Sequence, residues 1–246
     1  MSHPELPPVR VLLTRPKEQS HGWAKLIEAA GAEPVYFPTI VVGPPPSWEP
    51  LDESLARLAE YQWLLFSSAA AVRFTLERLS NRGALAGIKV GAVGKETAKA
   101  LATAGVPVDF MPGAGDEQNG AGLAQSLPFV ASGTRVLFPQ AMGGRSELRD
   151  ALIDRGCIVD VVPASQTTAV VPLGPVPAFD VATFASPSAL RAFVGGAGLA
   201  VLSQKPVVVL GETTAATARA LGLVPFVAAA PDGEAMVAAV ARSLNA

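Results

Sequence analysis

One cysteine and two histidines are the only thiol and imidazole groups in 246 residues, and the shortage removes several classes of function. A single cysteine forbids an internal disulfide and fits a reducing compartment. Cys157 follows Gly156 at a predicted helix-to-strand connection, where a small apolar residue would serve equally well. A reactive thiol needs a neighbouring cation that the sequence does not identify, so Cys157 is read as inert packing. His3 near the terminus and His21 on the first predicted helix cannot build a histidine triad or a metal cluster. Charge is scarce too: charged residues make up 16% and the net charge is −2, which excludes a broad basic face for nucleic acid. Apolar runs are broken by Gly, Pro or charge well short of the about 20 residues a membrane span needs. The opening Met1-Ser2-His3-Pro4-Glu5 lacks the basic-then-apolar order of a signal peptide, so a soluble, cytoplasmic protein is expected.

Two apparent nucleotide motifs also fail. Gly91-Ala92-Val93-Gly94-Lys95 has two residues between its glycines where a phosphate loop needs four, and Glu96 stands where the metal-binding hydroxyl belongs. Gly195, Gly196 and Gly198 follow a predicted helix rather than a strand, so they form no dinucleotide fingerprint.

What is present is a globular balance, 50% hydrophobic with 23 glycines and 22 prolines, and a three-part pattern that occurs twice. Arg10 to Pro38 aligns without a gap on Arg135 to Pro163 (unit c); Phe66 to Arg73 aligns on Phe184 to Arg191 (unit a); Val93-Gly94-Lys95-Glu96-Thr97-Ala98 aligns on Leu210-Gly211-Glu212-Thr213-Thr214-Ala215 (unit b). The order c, a, b, c, a, b permits a tandem split at the midpoint. The proline-rich stretches Gly43 to Pro50 and Pro172 to Pro177 favour a nested one, because such sequences resist helix and sheet and mark linkers. The expected division is a discontinuous lobe of residues 1–38 plus 171–246, a continuous lobe of residues 48–162, and linkers at 39–47 and 163–170.

Each unit reads as a short apolar strand, a loop and a helix. Val9 to Leu13, Trp63 to Phe66, Val90 to Val93, Val136 to Phe138, Val181 to Phe184 and Val207 to Leu210 are the strands, and the alternation implies parallel sheets covered on both faces, an α/β fold. Ligands in such sheets bind at the carboxyl edge, where the loops gather. There the chain places Thr14-Arg15-Pro16, Ser67-Ser68, Gly94 to Thr97, Gly143 to Ser146, Ser186-Pro187-Ser188 and Gly211 to Thr214, each opening a helix whose free N–H groups suit carboxylates. Ser68, Ser186, Thr97 and Thr214 are explained equally by helix capping and by ligand contact. Arg15 and Arg145 are oriented for carboxylate recognition or are solvated surface residues, while Arg73 and Arg191, further along their helices, are read as surface or ion-pair residues.

Taken in order and spacing, these segments resemble the uroporphyrinogen-III synthase family over nearly the whole chain. The carrying residues are Leu12 to Pro16, Phe66 to Val72, Val93 to Ala98, Gly143-Gly144-Arg145, Thr183 to Ala189 and Leu210 to Ala215. The resemblance implies two flavodoxin-like lobes, one inserted in the other and joined by two extended linkers. It implies a cofactor-free and metal-free lyase, working as a monomer, that closes linear hydroxymethylbilane into uroporphyrinogen III while inverting the last ring. It further implies substrate contacts from Arg15, Ser68, Thr97, Gly144 and Arg145, and from Gln166, Ser186, Ser188, Thr213 and Thr214, with Thr97 as the candidate for acid assistance. No nucleic-acid or membrane partner is expected. One departure counts against the enzyme: the family often has a tyrosine before the Gln or Arg of the returning linker, and this chain has Ser165-Gln166-Thr167. A non-catalytic two-lobed binder or sensor of a tetrapyrrole or polycarboxylate is the alternative; a regulator domain is the third class.

Overall fold

A computed structural model describes residues 8–113, 120–127, 131–171 and 174–245. His3, the start of the chain, and Pro172 and Leu173 of the second proline-rich stretch lie outside the described residues.

Unit c opens the fold. β1 (Arg10–Leu13) has Val11, Leu12 and Leu13 completely buried, as a central strand covered on both faces requires. α1 (Lys17–Ala29) buries Trp23, Ala24 and Ile27 at helical spacing, and Gly31, at φ 89°, turns the chain into β2 (Glu33–Tyr36). The chain then passes through β3 (Ile40–Gly43), α2 (Glu49–Ala56), β4 (Trp63–Phe66), α3 (Ala69–Arg78), β5 (Lys89–Ala92), α4 (Lys95–Thr103) and α5 (Gly120–Ser126). The second c unit repeats the first: β6 (Arg135–Ala141), α6 (Glu147–Asp154), Gly156 at φ 82°, then β7 (Ile158–Ala169). β8 (Val181–Phe184), α7 (Pro187–Ala197), β9 (Val207–Val209), α8 (Glu212–Ala220), β10 (Pro225–Val227) and α9 (Gly233–Leu244) complete the chain.

The strands form two five-stranded sheets, β10-β9-β8-β1-β2 and β3-β7-β6-β4-β5. Neighbours pair in parallel from β10 to β2 in one and from β7 to β5 in the other, as the α/β expectation requires. In repeat letters both sheets read b, a, c and then the extended tail of c. In the second sheet Phe110 bridges to Gly91 in parallel, on the flank where β10 lies beside β9 in the first.

The chain divides into two compact units, residues 1–41 with 167–246 (unit 1) and residues 42–166 (unit 2). Each has apolar clusters on both faces of its sheet. The chain crosses from one unit to the other within β3 and β7, which are neighbours in the second sheet. Helix reaches further into the first proline-rich stretch than its composition suggests: Pro50 lies in the first turn of α2, where its missing N–H loses no bond. Likewise Gly195 and Gly196 are inside the last turn of α7 rather than after it, and Gly198, at φ 89°, ends it.

Candidate functional site

The polar loops at the carboxyl edges are built alike in both units. Ser68 and Ser186 are N-caps with the same extended backbone (φ −153°, ψ 149° and φ −151°, ψ 154°), and each Oγ accepts from the N–H three residues on, at 3.2 Å. Gly94 and Gly211 open α4 and α8 with no side-chain cap, in backbone conformations that again match (φ −155°, ψ 172° and φ −164°, ψ 172°). Inside α4 the first intrahelical bond is donated by Ala98, to Gly94 at 3.0 Å, so the amides of residues 95–97 have no helical acceptor.

Burial sorts the expected contact residues. Ser188, Thr213, Gly144 and Arg145 are exposed; Arg15, Ser68, Gln166 and Ser186 are half-buried. Thr97 and Thr214 are only 5% and 3% exposed, because the third residue of a helix that opens at a strand end turns back toward the sheet. Both hydroxyls are therefore enclosed rather than displayed at the loop surface. Thr14 is also enclosed, donating to the Thr183 carbonyl at 2.7 Å while Thr183 donates to the Leu12 carbonyl at 2.8 Å; the pair knits β1 to β8. The Arg15 guanidinium lies 4.3 Å from the Trp23 ring centre, folded onto the helix that follows it.

Ser165 is completely buried, and its Oγ has no hydrogen-bond partner among the described residues. It follows a bulge at which β7 gains one residue on β6, Pro163 pairing Gln140 and Ser165 pairing Ala141. A hydroxyl so enclosed cannot stand in for a phenol. Of the two tyrosines, Tyr61 donates to Asp160 at 2.5 Å and its acidity is weakened, first by burial and then by that carboxylate. Cys157 is buried with its thiol pKa pushed up by burial, consistent with packing.

Unit 1 contains a cavity of about 710 Å³ between the returning chain, including Thr167 and Thr168, and the outer face of α7, presenting Ser188, Arg191, Gly195 and Gly196. Its size falls within the usual small-molecule range of about 300 to 1,000 Å³. Thr39 fixes the wall: wholly buried, it donates its hydroxyl to the Ala189 carbonyl at 2.9 Å, and its carbonyl accepts from Val170 N–H at 2.9 Å. Thr39 was not singled out in the sequence, and Arg191 was read there as a surface or ion-pair residue rather than as part of a cavity wall. The available signal for Arg191 was the spacing 188, 191, 192, 195, which places one cation among Ser, Ala and Gly on a single helix face.

Among the described residues no helix is long and apolar enough to cross a membrane, and no group of three or more His, Cys, Asp or Glu could hold a metal.

The family model for uroporphyrinogen-III synthase HemD matches residues 21–238. A uroporphyrinogen-III synthase of Synechococcus elongatus is 37% identical over 161 residues, 64% of this chain and 60% of that protein's length. One of Chlorobaculum parvum is 26% identical over 96% of this chain and 99% of its own. The crystal structure of uroporphyrinogen-III synthetase from Helicobacter pylori superposes with a TM-score of 0.63 at 20% identity, covering 97% of this chain and all of that one, a likeness of fold. With the family model covering residues 21–238, most of the chain, the chain belongs to the uroporphyrinogen-III synthase family.

Proposed function

We propose that the protein cyclises hydroxymethylbilane to uroporphyrinogen III with inversion of the last pyrrole ring. The observation that carries this reading is the match of the family model across residues 21–238, which takes in the helix-opening loops of both units from Ser67 onward and the cavity on α7. A bilane carries acetate and propionate arms on every ring. Uncapped amides of α4 and exposed hydroxyls such as Ser188 and Thr213 are the kind of donors such arms require.

In this reading the reaction begins with loss of the terminal hydroxyl, giving an electrophilic azafulvene. Attack at the substituted carbon of the last ring makes a spiro intermediate, whose fragmentation and reclosure invert that ring. Unassisted closure gives the uninverted isomer, so the protein's task is holding the reacting carbons in near-attack geometry. With Ser165 enclosed, the departing hydroxyl takes its proton from water, from a substrate carboxylate or from Thr97.

The test generates hydroxymethylbilane in situ, adds the protein, oxidises the product and resolves the isomers. Type III in excess over the spontaneous type I is expected. Unchanged type I together with tight binding of the bilane would replace the enzyme by a binding protein, the reading that the lost phenol at residue 165 favours.

A further inference from the structure

α7 and α3 are copies of one helix, yet their outer faces differ. On α3 the positions matching Ser188, Arg191, Ala192, Gly195 and Gly196 are Ala70, Arg73, Phe74, Glu77 and Arg78. That face is covered by α2 and the Trp48 that precedes it: the Trp48 ring sits 5.8 Å from Phe74 and Arg78 pairs with Asp52 at 2.5 Å, while Arg73 lies 4.2 Å from the Phe74 ring centre. On α7 no helix covers the face among the described residues, and the large side chains are gone as well. A Cβ added at Gly195 would meet nothing within 4 Å. Arg191 reaches only the Thr217 hydroxyl, at 3.5 Å, and among the described residues makes no ion pair. One cation without a carboxylate therefore stands in a wall of small residues, where its twin Arg73 is stacked on an aromatic ring.

We propose that the cavity on α7 seats one carboxylate-bearing pyrrole ring of the bilane, Arg191 holding the carboxylate and Gly195 and Gly196 leaving room for the ring face. This subsite rests on the function proposed above for its ligand class. A guanidinium favours a carboxylate by charge-assisted, bidentate bonding. The floor of glycine, alanine and the aliphatic Ile40, Val170 and Val171 suits a flat, weakly polar ring. Ser188, exposed and 2.9 Å from the Ser186 hydroxyl, adds a second donor one turn from Arg191.

The experiment measures binding of a single pyrrole carrying an acetate and a propionate arm by calorimetry, and steady-state kinetics with the bilane, on the wild type, Arg191→Ala, Arg191→Lys and Gly195→Leu. Arg191→Ala is expected to weaken pyrrole binding and raise KM about tenfold or more, with partial recovery in the lysine variant, since lysine restores the charge without the bidentate fork. Gly195→Leu fills open space on a helix, so it is expected to be at least as heat-stable as the wild type and still to lose the pyrrole. Pyrrole binding and KM unchanged in both Arg191→Ala and Gly195→Leu would overturn the subsite, even if the wild type makes the type III isomer. If the wild type makes none, loss of pyrrole binding in both variants would still establish the subsite while removing the proposed reaction.

Discussion

Phe193 and Thr75 occupy the same position on the twin helices α7 and α3, and the two units differ there in kind. In unit 1 Phe193 is completely buried and meets Phe37 and Phe184 edge to face, at centroid distances of 5.9 and 5.5 Å. In unit 2 Thr75 is completely buried as well, but its Oγ1 has no hydrogen-bond partner among the described residues. Duplication has kept the strand order and the helix caps while the interior and the outer helix face diverged. The unit whose helix buries Phe193 in an edge-to-face cluster is also the one whose helix face stands open on a cavity.

The largest effect that would break this comparison comes from Phe193→Ala. Removing a buried aromatic and leaving its space empty costs about 3 to 5 kcal/mol, and the edge-to-face packing of Phe37 and Phe184 on that ring disappears with it. Hydrogen exchange read by peptide should show faster opening in residues 174–245 and little change across residues 48–110. Equal acceleration in both ranges would mean that the aromatic cluster is not a property of unit 1 alone.

Thr75→Val is expected to act in the opposite direction. It replaces an unpartnered hydroxyl with a methyl group of nearly the same shape, and relieving such a group is worth about 1 to 3 kcal/mol. A rise in the thermal midpoint is the expected outcome; a fall would show that the hydroxyl is satisfied in solution, by water for example.

The fold was readable because duplication doubled every signal. Gly31 and Gly156 end helices at φ 89° and 82°, Gly105 and Gly222 do so at 73° and 81°, and each pair falls at the aligned position of its repeat. A positive φ is a demand that few residues other than glycine meet, so a glycine repeated at the same place reports backbone geometry directly. The site was less readable. Hydroxyls in a loop sequence do not disclose whether they cap, knit strands or face solvent: Ser68 and Ser186 cap, Thr14 and Thr183 knit β1 to β8, and Thr97 and Thr214 fold inward. Arg191 reads like Arg73 in the sequence because the two occupy matching positions. What separates them is that α2 and Trp48 cover one face and no helix covers the other among the described residues, a tertiary fact with no local signature.

The smallest effect concerns the amino edges. Arg10 and Arg135 begin the two c strands, and each donates its backbone N–H to a side chain from just before the a strand: Asp180 at 2.8 Å in unit 1, Gln62 at 2.9 Å in unit 2. The position is shared, but only the aspartate titrates. The Arg10 amide, and to a lesser degree its guanidinium, hold the Asp180 carboxyl below its ordinary value. A lowered folded-state pKa means that this contact stabilises fully above the unfolded value near 3.8 and is lost as pH falls through the lower folded value. Its partly exposed setting keeps the contribution below about 1 kcal/mol. Asp180→Asn keeps an acceptor while removing the titration, making unit 1 resemble unit 2. Acid titrations of stability should therefore show the wild type ahead of the variant by a constant margin above about pH 4, a margin that closes as the pH falls below it. Superimposable curves would mean that the aspartate contributes here as a neutral acceptor does, and that the two edges are equivalent in energy as well as in position.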